Sequence, residues 1–166
     1  MQDRPPPLDP FVGRAAELAR MAEVVSRAES GQPWLVAIEG DPGVGKTSLV
    51  RRSLAGISGL RVLSARAGQA EADLDFGIVD QLLRAAGSAF PAFPPARGAE
   101  TPASAFAVGA RLLEVVGEQQ AQQATAAVAI VVDDLQWADR RSVEALTFML
   151  RRPRSTPAVT NCRCCT

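Results

Sequence analysis

Histidine and tyrosine are absent from this 166-residue chain, and lysine occurs once, at position 46, against seventeen arginines. Without an imidazole, Ser/His and Cys/His nucleophile pairs and histidine-containing zinc sites are excluded. Long apolar runs are missing too. The longest, residues 126–132, falls well short of the ~20 residues a membrane-spanning helix needs. The N-terminal stretch MQDRPPPLDP has no apolar centre, so it is not read as a signal peptide. Net charge is also lacking: 18 basic and 18 acidic residues cancel, which removes any global pull toward nucleic acid or anionic membrane. A soluble, cytoplasmic protein without a membrane partner is expected. Cysteine is scarce and confined to the last five residues, as Cys162, Cys164 and Cys165. With no fourth thiolate and no histidine, no metal cluster is expected there.

What is present points to an α/β domain. Residues 1–10 are proline-rich and read as an arm. Leu18, Met21, Val24, Val25 and Ala28 then recur at helical spacing, with Gly31 as a stop. The continuous apolar run WLVAIE at 34–39 predicts a buried parallel strand, and LRVLSARA at 60–67 a second. Phe76, Val79, Leu82, Leu83 and Ala86 mark one face of a helix. A proline-broken loop separates it from a further helix over about 103–118, and GEQQAQQAT reads as a polar linker. AAVAIVV at 126–132 predicts another buried strand, ending at Asp133 and Asp134. A last helix follows, with Val143, Leu146, Met149 and Leu150 as its buried stripe. Strands alternating with helices argue a parallel sheet.

The stretch GDPGVGKTSLV, residues 40–50, carries the chemistry. Gly40, Gly45, Lys46 and Thr47 fill G-x-x-x-x-G-K-[ST] between a strand and a helix. Glycines let successive backbone N–H groups turn inward as an anion nest, and the helix that follows adds its positive end. The expected roles are Lys46 on the β- and γ-phosphates and the Thr47 hydroxyl on Mg²⁺. Asp41, Pro42, Gly43, Val44 and Ser48 complete the expected nucleotide-binding stretch. A lone lysine among arginines suits this place, because lysine is a compact point charge and arginine a broad fork.

AIVVDDLQWAD supplies a second half. Its strand would end at the carboxyl edge of the sheet, where open α/β sheets bind ligands. Asp133 is then expected to face the Mg²⁺ held by Thr47, and Asp134 to orient or deprotonate an attacking water. The nucleobase is expected to be adenine, since an Asn-Lys-x-Asp guanine motif needs a second lysine.

In order, FVGRAAELARM, VAIEGDPGVGKTSLVR, AEADLDFGIVDQLL and IVVDDLQWADRRSVEALTFMLRR resemble bacterial AAA/STAND ATPase domains. The resemblance is greatest to the N-terminal ATPase domain of LuxR-family, MalT-like transcriptional regulators, and it covers residues 11–152. It implies a three-layer α/β/α P-loop NTPase fold with a parallel sheet of order 5-1-4-3-2, here incomplete at the C-terminus. It implies ATP and ADP as ligands, Mg²⁺ as cofactor, and hydrolysis of ATP in an intact parent that can self-associate. Phe11, Val12, Gly13 and Arg14 match a segment packed near adenine. Trp137 is expected as a core aromatic and Asp139 as a helix N-cap. A DNA-binding domain would lie in a further C-terminal part, so no direct DNA contact is expected from this chain. The arginine pairs at 51–52, 140–141 and 151–152 are read as solvated helix faces. Residues 153–166 are read as an aberrant tail in which PAVTNC is too short and too polar to supply the fourth strand. The 166 residues alone are accordingly expected to be marginally folded and inactive.

Overall fold

Four strands and five α-helices make up the computed structural model, which describes residues 14–30, 34–88, 104–122, 127–152 and 158–162. The order is α1 (Ala15–Glu29), β1 (Trp34–Ala37), α2 (Lys46–Ala55), β2 (Leu60–Arg66) and α3 (Gly77–Ala85). It continues with α4 (Ala105–Gln122), β3 (Ala127–Asp133), α5 (Arg140–Leu150) and β4 (Ala158–Cys162). The strands form one parallel sheet, β1-β4-β3-β2. Both β1 and β2 therefore feed their loops to the same edge as β3, as parallel crossovers require.

Two apolar layers sandwich the sheet. On one face, Val25 and Ala28 of α1 and Val50 and Leu54 of α2 meet Ala129 of β3. On the other, α3, α4 and α5 pack over β2 and β3 in the larger core, around Leu63, Leu82, Leu112 and Ile130. Helices α4 and α5 approach closely at Gly109, where a Cβ would lie 2.6 Å from the carbonyl oxygen of Ala145. The predicted face of α3 is buried in full at Phe76, Val79, Leu82, Leu83 and Ala86.

Four expectations are corrected. The segment 34–39 does form a strand at Trp34–Ala37, but Leu35 is 54% exposed and burial alternates along it. Leu35 and Ala37 are exposed, whereas Trp34 and Val36 are half-buried. The polar run after residue 116 is no linker: α4 continues to Gln122. Alanine, glutamate and glutamine are good helix formers, and Gln119 is buried, donating from Nε2 to the Ala86 carbonyl at 2.9 Å. Val143 is exposed on α5, and Ser142 and Ala145 are buried beside Leu146 and Met149 instead.

The largest correction concerns the fourth strand. Ala158–Cys162 forms β4 between β1 and β3, with Val159 opposite both Trp34 and Ala129. Two facing rows of N–H and C=O groups need partners there, and a short segment in extended backbone satisfies both whatever its side chains. The penalty expected from an unfilled centre of the sheet therefore does not apply.

Candidate functional site

The loop after β1 is shaped by backbone geometry only glycine adopts freely. Gly43 and Gly45 have φ of 79° and 86°, in the left-handed region, and Gly45 is the residue immediately before α2. Helix α2 thus begins at Lys46, with its N-terminal N–H groups and the positive end of its dipole turned to the loop. Lys46 is only 8% exposed. Its Nζ donates to the carbonyls of Gly40 at 2.6 Å and Asp41 at 3.0 Å, so the amine lies across the loop rather than out in solvent. Arg14, just before α1, donates to the Val44 carbonyl, which ties the segment preceding the first helix to the loop. Phe11, Val12 and Gly13 lie outside the described residues. Asp41, Pro42, Gly43 and Val44 form the exposed outer rim, and Ser48 is exposed in the first turn of α2.

The two halves of the site meet. Thr47 Oγ1 donates to Asp133 Oδ2 at 3.1 Å, joining the first turn of α2 to the last residue of β3. A hydroxyl and a carboxylate at that spacing are hard oxygen donors of the kind Mg²⁺ takes, with water and phosphate oxygens completing its shell. The donor set fits that ion. Beside the pair, a cleft of about 520 Å³ runs between α2 and β2 over Val50, Leu54, Val62 and Val131.

Asp134 sits differently. It adopts φ 56°, uncommon for a residue with a side chain, and its Oδ2 accepts from Arg66 Nε at 2.9 Å. Arg66, at the end of β2, was not among the expected site residues. Nothing in its local sequence marks it, because the pairing exists only once β2 lies beside β3. Trp137 is not a core aromatic: it is 39% exposed and lines a shallow hollow with Arg66, Glu71 and Asp134. Asp139 does cap α5, accepting from Ser142 N–H at 2.7 Å. Of the arginine pairs, Arg140 bonds Glu144 at 2.9 Å, and Arg152 stacks over Phe148 at 3.9 Å. Among the described residues no helix is long and apolar enough to cross a membrane, and no group of three or more acidic or cysteine side chains forms a metal cluster.

A parallel sheet with helices on both faces, a glycine loop opening a helix at Lys46, and an acid brought to Thr47 from the end of β3 define a P-loop nucleotide-binding domain. The profile of the AAA ATPase domain family matches residues 10–160, and the chain belongs to that family. It is similar to the ATP-dependent Clp protease ATP-binding subunit ClpC of Staphylococcus saprophyticus, 38% identical over 72 residues, which cover 43% of this chain and 8% of that protein. The negative regulator of genetic competence ClpC/MecB of Bacillus subtilis is 48% identical over 42 residues, 25% of this chain and 5% of that protein. The chaperone protein ClpB of Mycoplasmoides gallisepticum is 44% identical over 43 residues, 26% of this chain and 6% of that protein. The chain thus spans less than a tenth of the length of these curated relatives.

Proposed function

We propose that this chain binds ATP with Mg²⁺ and acts as the nucleotide switch of a LuxR-family transcriptional regulator. The single observation that carries nucleotide binding is the convergence of Lys46, Thr47 and Asp133 at one end of the sheet. The printed name of the Clp relative as an ATP-binding subunit agrees with it. The regulator assignment is supported by the resemblance of residues 11–152, the ATPase unit, with residues 1–10 as an arm before it. The same ATPase class also occurs linked to cyclases and kinases.

In this reading the loop N–H groups and the start of α2 hold the β- and γ-phosphates, and Lys46 leaves the Gly40 and Asp41 carbonyls to add its charge. Thr47 and Asp133 hold the Mg²⁺, which neutralises phosphate charge when bound. Asp134 positions or deprotonates the attacking water once it is off Arg66. In the resting chain Asp134 is paired with Arg66, and in this reading the bound nucleotide serves as a signal.

The test is a titration of the purified chain with Mg-ATP and Mg-GTP beside Lys46→Ala. ATP binding that weakens about tenfold or more in Lys46→Ala, as loss of a charged hydrogen bond implies, supports the reading. Equal ATP affinity in the two proteins, or equal affinity for GTP, overturns it.

A further inference from the structure

Arg66 ends β2, which among the described residues is hydrogen-bonded to another strand, β3, on one side only. An outer strand leaves backbone N–H and C=O groups without ladder partners on its open side. At Arg66 one side chain takes both. The Gln81 carboxamide accepts from Arg66 N–H at 2.9 Å and donates to Arg66 C=O at 3.1 Å, where a neighbouring strand would otherwise sit. Gln81 belongs to a helix that cannot drift, since Ile78, Val79, Leu82 and Leu83 are all buried in the larger core.

We infer that Gln81 is a positioning residue: by fixing both backbone groups of Arg66 it aims the guanidinium at Asp134 and couples α3 to the acid beside the Thr47–Asp133 pair. Arg66 is mostly exposed, and an exposed ion pair is weak when a long flexible side chain must be held in one geometry. A clamp on the backbone sets the direction of the Cα–Cβ bond and removes part of that loss. The pair at 2.9 Å thus depends on a helix in the next layer. Release of the Arg66 backbone by the Gln81 carboxamide is the step that frees Asp134 for the attacking water. That last consequence rests on the nucleotide-switch reading; the coupling itself does not.

The experiment reads the Arg66 Nε–H resonance by ¹⁵N NMR in the full 166-residue chain without nucleotide, so loss of ATP binding would not affect it. Asp134→Asn gives the reference position for Arg66 released from the carboxylate. Gln81→Met keeps side-chain length but neither hydrogen-bonding group, and the resonance is expected at the released position. Gln81→Asn, one methylene too short to reach, is expected to give the same reading. Gln81→Glu retains the acceptor for Arg66 N–H and is expected to hold the resonance nearer its wild-type place. An Arg66 Nε–H signal left at the wild-type position in Gln81→Met and Gln81→Asn, while Asp134→Asn moves it, overturns the inference.

Discussion

Asp139 Oδ1 accepts the backbone N–H of Phe76 at 2.9 Å, across 63 residues of chain, while the same oxygen caps α5 through Ser142 N–H at 2.7 Å. One buried carboxylate oxygen therefore starts two helices, because Phe76 is the residue before α3. Ser142 reinforces the junction by accepting from Val79 N–H at 3.3 Å. Asp139→Ala removes a cap and strands a buried N–H, each costing on the order of 1–2 kcal/mol. A loss of about 2–4 kcal/mol in urea-unfolding stability is expected; a loss no larger than that of an ordinary exposed cap would show that the Phe76 bond contributes nothing.

Lys46→Arg tests whether charge alone serves the loop. The amine fits between two carbonyls at 2.6 and 3.0 Å in a nearly buried place. A planar guanidinium is broader and cannot occupy that position without opening the loop. ATP binding measured by calorimetry should fall as far as in Lys46→Ala, by about tenfold or more. Wild-type affinity in Lys46→Arg would mean that the lysine is held for its charge only.

Thr47→Val and Asp133→Asn test the metal assignment. Each leaves the fold's packing nearly unchanged and removes one oxygen donor of the 3.1 Å pair. In wild type, stripping Mg²⁺ with a chelator should weaken ATP binding. In either variant the affinity with Mg²⁺ should approach the chelated wild-type value. Full Mg²⁺ dependence in both variants would place the ion elsewhere.

Asp134→Asn separates binding from turnover. It keeps size and polarity while removing the carboxylate, so ATP should still bind and hydrolysis should fall by roughly 10²-fold. Steady-state phosphate release from the purified protein with Mg-ATP is the measurement. Unchanged turnover would make Asp134 a turn residue paired to Arg66 and nothing more.

Gly109→Ala addresses the helical layer. Its new Cβ would meet the Ala145 carbonyl oxygen at 2.6 Å and Phe148 at 2.8 Å, so α4 and α5 must separate. Overpacking of this kind typically costs about 1–3 kcal/mol. Gly117→Ala, where a Cβ meets nothing within 4 Å, is the control and should be stable or slightly more so in the same thermal melt.

The parts of the site that sequence revealed are those whose residue types are dictated locally. A loop that must turn through positive φ needs Gly43 and Gly45, and the hydroxyl after the lysine meets an acid that stands at a strand end. Periodicity revealed α3 for a similar reason, since its inner face is buried over its whole length. Contacts between distant segments left no such trace. The Arg66–Asp134 pair and the Gln81 clamp join residues from different crossovers, and exposed arginines are common enough that none stands out. Trp137 misled because aromatic bulk favours burial, yet it follows a left-handed turn at Asp134 that carries it to the surface. The strand at Ala158–Cys162 is discounted on composition because a central strand usually advertises itself by an apolar run, and this one is defined by the backbone ladders of its neighbours.

That placement has a consequence for how the chain reaches its native state. The strand before the glycine loop and the strand ending in Asp133 do not touch; β4 lies between them. As the polypeptide leaves the ribosome, β2 and β3 can pair and gather α3, α4 and α5 into a half-domain. Meanwhile β1 and its loop have no sheet to join until residues 158–162 are available. Parallel pairings at such sequence separation form late and slowly. A nascent or shortened chain ending before residue 158 would carry every residue of the phosphate loop and yet hold Thr47 apart from Asp133. Nucleotide binding as proposed would then depend on β4, so the segment with the plainest composition governs the segment with the most distinctive one.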